Sequence, residues 1–409
     1  MKRIWIMNHY AVPPYIGGGT RHFDLAEELA GRGYDVTVFA SSFDLKTRTE
    51  RLNEGERYRI EEINGVKFFW IRTYPYKTND YKRFLNMISF AVNSYRILSR
   101  LERPDVILAS SVHPFTCISG YYLAKKFGAR YIAEIRDLWP ETLIDMGAMR
   151  KDSISAKVFY AIEKFIYDKA EKIIVLLPGA KDYINSVGNY GDKVEYIPNG
   201  VVVKRYDEVL QKNEKSSRVE EILIEHAGKL KAVYLGAMGP ANALDVILNA
   251  AKILKDEGIN NIDILLIGDG PEKEKLINMK NELGLENVSI YDPIKKYDVP
   301  FLLDGIDICL FNLKDLDVFK YGISPNKLFD YLCSAKPILF SCKAVNDIVK
   351  EANAGISIEP ESPERFAAAL KELANMDEHK RRELGQNGRR YVEQNHDISR
   401  LVDKLDSLF

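Results

Sequence analysis

Strand-like and helix-like segments alternate along almost the whole chain. Short runs rich in β-branched and aromatic residues, such as 35–41 and 105–110, are separated by stretches with helical periodicity, such as 21–32 and 154–170. Strands that alternate with helices predict parallel sheets covered by helices on both faces. The predicted fold class is therefore α/β.

The same pattern occurs twice. After the turn signal Pro198-Asn199-Gly200 and a polar stretch at 211–218, a second series of strand-like runs begins at residue 231. A chain of 409 residues suits two domains of about 200 residues each. We therefore predict two doubly wound Rossmann-like domains, residues 1–190 and 191–387, which face a central cleft. Ligands of such folds bind beyond the carboxyl ends of the strands, so the loops there are the candidate sites.

Composition excludes several classes of protein. The chain has four cysteines without CxxC or Cys/His spacing, which predicts buried thiols in a reducing compartment and no metal site. The net charge of −1 argues against a nucleic-acid partner. The apolar run at the start is too short for a signal peptide, and no run approaches the length of a membrane span. We predict a cytoplasmic protein.

The first candidate loop is Gly17-Gly18-Gly19, between the first predicted strand and the first predicted helix. Glycine lets a ligand approach the backbone, and a helix N-terminus attracts anions. Gly18 and Gly19 are therefore predicted to contact phosphate or sugar. A plain tight turn is the alternative.

Two further loops place titratable groups at strand ends. His113 follows the strand-like run 105–109, where an imidazole can bond a sugar hydroxyl or move a proton, or can simply be satisfied by backbone. Glu134, Arg136 and Asp137 end another apolar run. Charges there are costly unless they pair with each other or with a ligand, so they indicate either a transfer site or a purely structural network.

The segment 323–331 predicts a phosphate-binding helix. Ser324 is expected to be its N-cap and Pro325 its first helical residue. Lys327 and Asp330 then lie on one helix face, which suits the phosphates and the ribose of a nucleotide diphosphate. An exposed ion pair between the two residues is the alternative.

Six segments, in order, resemble motifs of glycosyltransferase family 4, a group of retaining GT-B enzymes: the GGG loop, SSVHPF, EIRDLWPET, IPNGV, LLIGDGP and SPNKLFDYL. EIRDLWPET and SPNKLFDYL look like the N-acetylfucosaminyl-type branch of surface polysaccharide assembly. The resemblance implies a GT-B fold in which residues 388–409 form a helical tail that returns to the first domain.

The resemblance also implies a role for each matched residue. The implied catalytic residues are His113, Glu134, Arg136 and Asp137, and the implied donor-binding residues are Gly18, Gly19, Asn199, Gly236, Gly268, Lys327 and Asp330. Lys327 would bind the donor phosphates and Asp330 the ribose. GT-B enzymes generally need no metal and no cofactor, so none is expected.

The chain departs from the family pattern at three places. The loop at 236–243 has no Lys or Arg, the first carboxylate of the family motif is missing near 319–321, and Asp replaces Glu at position 330. The loop without a basic residue keeps one alternative open, an inactive GT-B scaffold that partners another transferase. The other alternative is a different enzyme class on the same fold, a nucleotide-sugar 2-epimerase.

Apolar residues recur at helical spacing between Tyr81 and Leu98, and basic residues surround them. The apolar set is Tyr81, Phe84, Leu85, Ile88, Ala91, Val92, Tyr95 and Leu98, widened by Met87, Phe90 and Ile97; the basic set is Lys77, Lys82, Arg83, Arg96, Arg100 and Arg103. Such a helix can lie on an anionic bilayer surface or in the core with a solvated basic edge.

The expected function is transfer of a sugar from a nucleotide-diphosphate donor to a hydroxyl acceptor with retention at the anomeric carbon. The donor is expected to be UDP-linked and N-acetylated. The expected acceptor is a glycan, in particular a lipid-linked intermediate of surface polysaccharide synthesis. The protein would then work as a peripheral protein on the cytoplasmic, anionic face of the membrane.

Overall fold

The computed structural model describes residues 1–16, 18–45, 47–78, 80–212 and 214–409. They form two compact units, one comprising Met1–Pro198 with Ile398–Phe409 and the other comprising Asn199–Asp397. Each unit is built around one sheet whose strands are mostly parallel, which confirms the predicted α/β class.

The first unit contains an eight-stranded sheet within its described residues, in the order β3-β4-β2-β1-β5-β6-β7-β8. The strands are β1 (Arg3–Met7), β2 (Asp35–Ser41), β3 (Tyr58–Ile63), β4 (Val66–Ile71), β5 (Val106–Ser110), β6 (Arg130–Ile135), β7 (Lys172–Val175) and β8 (Val194–Tyr196). Only the edge strand β3 runs antiparallel to its neighbour among these pairings. The winding reverses between β1 and β5, which is where ligands of such sheets bind.

Six helices precede the second unit in the described chain. They are α1 (Arg21–Gly31), α2 (Tyr81–Leu98), α3 (Pro114–Phe127), α4 (Glu141–Asp145), α5 (Ile154–Lys169) and α6 (Ala180–Gly188). Side-chain oxygens cap the N-termini of two of them. Asp80 accepts a hydrogen bond from the Lys82 amide at 2.8 Å, and Ser153 accepts one from the Ala156 amide at 3.2 Å. α2 packs against α3, and α3 packs against α5.

The second unit repeats the architecture with a six-stranded parallel sheet, in the order β11-β10-β9-β12-β13-β14. Its strands are β9 (Leu230–Ala237), β10 (Ile262–Asp269), β11 (Val288–Tyr291), β12 (Ile308–Asn312), β13 (Ile338–Ser341) and β14 (Gly355–Ile358). Its helices are α7 (Val203–Lys212), α8 (Ser217–Glu225), α9 (Leu244–Asp256), α10 (Lys273–Glu282), α11 (Val299–Asp304), α12 (Asn326–Cys333), α13 (Ile348–Glu351), α14 (Pro363–Asn375) and α15 (Glu378–Asn395). The winding here reverses between β9 and β12.

Both faces of the second sheet are buried. Val233 and Cys309 belong to a cluster on one face, whereas their chain neighbours Ala232 and Ile308 belong to a cluster on the other. Successive side chains of a strand point to opposite faces, so a strand covered on both sides must be apolar throughout. This explains why the strand-like runs are continuous rather than alternating.

The division between the units differs from the predicted boundaries. β8 pairs in parallel with β7, so residues 191–198 belong to the first unit. The last helix, α16 (Ile398–Asp406), also belongs to the first unit and packs against α1, where Arg32 Nη1 lies 2.8 Å from Asp403 Oδ1. Residue 388, by contrast, lies inside α15, which packs on α12 in the second unit. The returning segment therefore begins at Ile398.

All four cysteines are free and buried, as their apolar flanks predicted. Among the described residues, no helix is both long and apolar enough to cross a membrane.

Candidate functional site

Lys327 stands at the carboxyl edge of the second sheet with neutral partners. Its Nζ lies 2.6 Å from the Tyr234 hydroxyl and 3.1 Å from Asn242 Oδ1, and 3.9 Å from the centroid of the Tyr234 ring. Within the described part of the chain, no carboxylate lies at ion-pair distance from this ammonium. Removal from water lowers the pKa of Lys327 to about 7. An incoming anion would therefore gain an ion pair without displacing one.

Glycines shape the backbone beside Lys327. Gly236, at φ +145°, leaves a space in which a Cβ would approach the Lys327 side chain to 3.5 Å. Gly268 is paired with Gly236 between β9 and β10, and a Cβ there would lie 1.8 Å from the Gly236 carbonyl oxygen. The glycine at 268 is thus required by the close approach of two strands, and it supports the Gly236 turn next to Lys327.

The start of α12 differs from the sequence expectation. Pro325 rather than Ser324 occupies the cap position, and the helix begins at Asn326. The Ser324 hydroxyl instead accepts from the Asn199 amide at 2.8 Å, while Asn199 Nδ2 donates to the Ser324 carbonyl at 2.6 Å. A hydroxyl held by another segment cannot cap the helix. Asn199, predicted as a donor ligand, is buried and fixes the peptide that leads into α12.

Asp330 is almost buried and is held by a lysine that sequence reasoning missed. Both of its carboxylate oxygens lie within 2.8 Å of Lys296 Nζ, at 2.8 and 2.6 Å. Lys327 and Asp330 therefore have different partners, and the exposed ion pair between them is not formed. A ribose at Asp330 would share the carboxylate with Lys296.

Two other residues of the Lys327 site, Tyr234 and Asn242, were also missed. Asn242 lies in the loop that was noted for having no basic residue, and its amide oxygen binds the lysine from α12 instead. Asn312 at the end of β12 holds this loop, because its Nδ2 donates to the Asn242 and Ala243 carbonyls at 2.9 Å each. The absence of Lys and Arg from the loop at 236–243 was the sequence signal that could have pointed to Tyr234 and Asn242.

In the first unit, Glu134 is the centre of a fully buried network. Its carboxylate lies 2.9 Å from Arg21 Nε and 2.7 Å from His22 Nε2, and it accepts from the Ser110 hydroxyl at 2.8 Å. Burial alone would raise the pKa of Glu134, but Arg21 and His22 keep it well below its usual range. Glu134 has no exposed surface and holds Arg21, His22 and the Ser110 hydroxyl in place, so its catalytic role stays a prediction.

The other two charges of this segment face solvent. Arg136 is half-buried and Asp137 is exposed, and the Arg136 amide donates to the Ser111 hydroxyl at 3.3 Å. Glu134 is enclosed and the other two lie nearer the surface, but the three charges still interact, because Arg136 helps to lower the pKa of Glu134 and opposes the rise that burial causes in the pKa of Asp137. Arg136 and Asp137 stay candidates for contact with substrate.

His113 is buried at the start of α3 and contacts a second histidine. His113 Nε2 lies 2.6 Å from Nδ1 of His9, a residue that follows β1 and that sequence reasoning missed. Burial lowers the pKa of His113 to about 3 and that of His9 well below its usual value, so both imidazoles are neutral. A histidine of this kind can donate or accept a hydrogen bond, but it does not carry charge near neutral pH.

Of the GGG loop, Gly17 lies outside the described residues. Gly18 is exposed with φ +113°, a backbone conformation that favours glycine, and Gly19 is half-buried. The loop leads into α1, whose first two residues, Arg21 and His22, point into the Glu134 network.

Comparisons with known proteins agree with this architecture. Residues 16–205 match the family described as Glycosyltransferase Family 4, and residues 218–391 match the family described as Glycosyl transferases group 1. The chain is a GT-B glycosyltransferase.

A curated relative and two solved structures illustrate the similarity. The chain is 22% identical over 287 residues to a probable glycosyltransferase WbjE of Pseudomonas aeruginosa, covering 69% of this chain and 70% of the relative. It superposes on sucrose-phosphate synthase of Thermosynechococcus elongatus with a TM-score of 0.75 at 16% identity, covering 100% and 98% of the two chains. Anabaena HepE in complex with UDP and glucose gives a TM-score of 0.70 at 13% identity, covering 100% and 99%.

Proposed function

We propose that the second unit of this glycosyltransferase binds a UDP-linked sugar, with Lys327 on the diphosphate. The observation that carries the proposal is the ammonium of Lys327, which is desolvated, held by neutral partners and free of any ion pair among the described residues. Its position beyond the carboxyl ends of β9 and β12 is where a doubly wound sheet binds nucleotides. The HepE complexes with UDP and with UDP-glucose support the same donor class.

Calorimetry with UDP tests this proposal. A charge-assisted contact to phosphate contributes about 1.5–3 kcal/mol, so Lys327→Ala should weaken UDP binding roughly ten- to hundredfold. Lys320→Ala is the matched control, because Lys320 is exposed and lies in the same segment of the chain. Equal affinity in wild type and Lys327→Ala would contradict the site.

We also propose that Asp330 reads the ribose while Lys296 holds its carboxylate in place. An amide has one acceptor oxygen where the carboxylate has two, so Asp330→Asn should weaken binding of UDP more than binding of pyrophosphate. Equal losses for the two ligands would contradict a role at the ribose.

For the transfer step we propose retention without a resident metal or cofactor. Glu134 is buried and already paired, and His113 is neutral, so neither is placed to act as a carboxylate nucleophile or as a strong base. The leaving diphosphate itself would then accept the proton of the acceptor hydroxyl.

Two experiments test the transfer step. Nuclear magnetic resonance of the product reports the anomeric configuration and so tests retention, and turnover in excess EDTA tests metal independence. An acceptor-free assay separates transfer from 2-epimerisation, and absence of any turnover would favour the inactive scaffold.

We further propose that α2 holds the protein on an anionic membrane, where a lipid-linked acceptor of surface polysaccharide synthesis would be found. One side of α2 is buried through Met87, Phe90 and Leu98. The other side leaves large apolar side chains 39–68% exposed, namely Tyr81, Phe84, Leu85, Ile88, Val92 and Tyr95. Such a face fits the interface between head groups and acyl chains.

Sedimentation with vesicles of anionic lipid at two salt concentrations tests the membrane proposal. Each Lys or Arg near the surface contributes on the order of 1 kcal/mol, which salt screens. Arg96 and Arg100 are exposed, so changing both to Glu should release the protein while its melting temperature is kept. Wild-type protein that stays in the supernatant at low salt would contradict membrane binding.

A further inference from the structure

Lys296 and Asp330 form a charge pair that is open to solvent on the side of the lysine. The Lys296 side chain is 31% exposed, whereas that of Asp330 is 12% exposed. Nζ of Lys296 lies 2.8 Å from Asp330 Oδ1 and 2.6 Å from Oδ2. An ammonium group has three N–H donors, and the two carboxylate oxygens use two of them. The third N–H has no partner among the described residues, so the pair still offers a hydrogen-bond donor.

The carboxylate of the same pair still offers acceptors. An ionised carboxylate has about four lone-pair sites, and it can only accept hydrogen bonds. Within the described part of the chain, Lys296 is the only donor that the Asp330 carboxylate binds. The pair therefore presents a free donor and free acceptors next to each other, which is the complement of a hydroxyl group, since a hydroxyl both donates and accepts.

The pair lies next to the lysine that we assign to the diphosphate. Lys296 belongs to the segment that follows β11, and Asp330 lies on α12 one turn after Lys327. Because β9, β10 and β11 are parallel, this segment begins at the sheet edge where Gly236 and Gly268 lie. Residues three apart on a helix have Cβ atoms about 5–6 Å apart. The part of a nucleotide that meets the pair is therefore the one joined to its diphosphate, the ribose.

We propose that Lys296 contacts the ribose directly and makes the donor site specific for ribonucleotides; this inference rests on the donor site proposed above. A ribose has adjacent 2′ and 3′ hydroxyls, from which Asp330 can accept while the free N–H of Lys296 donates to one of them. A 2′-deoxyribose lacks one of these hydroxyls and leaves part of the pair without a partner. The donor class is a sugar linked to a ribonucleoside diphosphate, and a sugar linked to deoxythymidine diphosphate is rejected.

The exposure of the pair sets the size of this preference. A site that binds a hydroxyl by hydrogen bonds rejects the analogue without it, because polar groups of the site are then left unpaired. Water can reach Lys296 and replace the missing hydroxyl in part, since nearly a third of its side chain is exposed. A single charge-assisted contact corresponds to a preference of about ten- to hundredfold.

Calorimetric titration of the full-length protein with UDP and with 2′-deoxy-UDP tests the proposal. The two ligands have the same base and the same diphosphate, so the ratio of their affinities reports the 2′ hydroxyl alone. The wild type should bind UDP about tenfold more tightly or better. Equal affinities would overturn the proposal, and this measurement needs no variant that has to fold.

Two lysine variants assign the preference to Lys296. Lys296→Met removes the ammonium at similar side-chain length and should lower the preference for UDP at least threefold, while pyrophosphate affinity changes less than about twofold. Lys295→Met removes the same charge from the exposed neighbouring residue and should keep the preference. An equal loss of preference in the two variants, or an equal loss of UDP and pyrophosphate affinity in Lys296→Met, would show general attraction to the phosphates and overturn the proposal.

The Asp330→Asn background separates a direct contact from an effect through Asp330. If Lys296 only holds the carboxylate in place, adding Lys296→Met to Asp330→Asn changes nothing further. A direct contact predicts that the remaining preference for UDP falls again, by about twofold or more. No further fall would overturn the contact.

The donor site and the ribose contact can fail separately. Binding of UDP that depends on Lys327 but shows no preference over 2′-deoxy-UDP refutes the ribose contact alone. Absence of UDP binding to the wild type refutes the donor site, and the ribose contact with it.

Discussion

At the scale of single residues, the sequence predicted Lys327 as a phosphate ligand but could not show how its ammonium group is enclosed. The lysine was found from its place in a helical segment, which is local information. Its lowered pKa results from burial, and the partners of its Nζ, Tyr234 and Asn242, lie far away in the chain and are brought there only by the fold. The same limit applies to His9, whose partner His113 lies on another strand end.

The lowered pKa predicts that nucleotide binding takes up a proton. With a pKa of about 7, Lys327 is mostly neutral at pH 8 in the free protein. A bound diphosphate favours the charged form and raises the pKa, so binding at pH 8 should take up close to one proton. UDP affinity should then fall as pH rises above 7, until pH reaches the raised pKa of the complex.

Calorimetry in HEPES and in Tris, which differ in ionisation enthalpy, measures this uptake. The Lys327→Ala protein should show no uptake from this group. Equal binding heats of the wild type in the two buffers would be inconsistent with a neutral Lys327.

Glu134 gives a second prediction at this scale. Glu134→Gln leaves the Arg21 guanidinium buried without its counter-charge, and breaking a buried pair costs about 3–5 kcal/mol of the free energy of unfolding. Because the folded pKa of Glu134 is depressed, its contribution is present above the pKa of the unfolded chain and is lost as pH falls through the folded value. Urea unfolding measures the loss. Glu54→Gln, at an exposed position, is the control and should change stability by less than about 0.5 kcal/mol.

At the scale of elements, periodicity predicted the helices well and their orientation less well. It predicted a helix over Tyr81–Leu101, and the structure shows α2 from Tyr81 to Leu98, so the start agrees and the end comes three residues earlier. It also grouped Met87 and Phe90 with the residues expected at a membrane, although both face the interior. An all-round apolar helix has no sequence signal for which side meets the sheet, since that depends on β4 and α3. The predicted N-cap of α12 was wrong for a similar reason, because the Ser324 hydroxyl is held by the amide of Asn199, which is distant in the chain.

The two sides of α2 should respond differently to truncation of the same residue type. Phe90 is fully buried and stacks on His9, so Phe90→Ala should cost about 3–5 kcal/mol. Phe84 is 41% exposed, so Phe84→Ala should cost less than about 1 kcal/mol and should weaken vesicle binding instead. Urea unfolding and vesicle sedimentation of both variants test this. Comparable losses of stability would show that the exposed face is packed in solution.

At the scale of the whole molecule, the repeated alternation of strands and helices was sufficient to predict two parallel α/β units. It could not give the end of the first unit, because β8 has only three residues and is recognisable only through its pairing with β7. The returning segment was predicted by resemblance. Its start at Ile398 rather than 388 reflects packing, since α15 continues past Gly388 on the second unit.

The return of α16 to the first unit predicts where a C-terminal deletion acts. Ile398, Leu401, Val402 and Leu405 are buried on α16, and α16 packs on α1. Each fully buried side chain of this kind contributes roughly 1.5–3 kcal/mol, so removal of residues 398–409 should destabilise the first unit selectively. Hydrogen exchange followed by mass spectrometry should show faster exchange in α1 and β2, with α9 and β10 unchanged.

A point variant refines the deletion experiment. Leu401→Asp should reproduce the faster exchange of α1, because it places a charge in the same apolar contact. Lys404→Ala, at an exposed position of the same helix, should leave all segments unchanged. If the deletion accelerated exchange in α9 as strongly as in α1, the two units would unfold together, and α16 would stabilise the whole chain rather than the unit on which it packs.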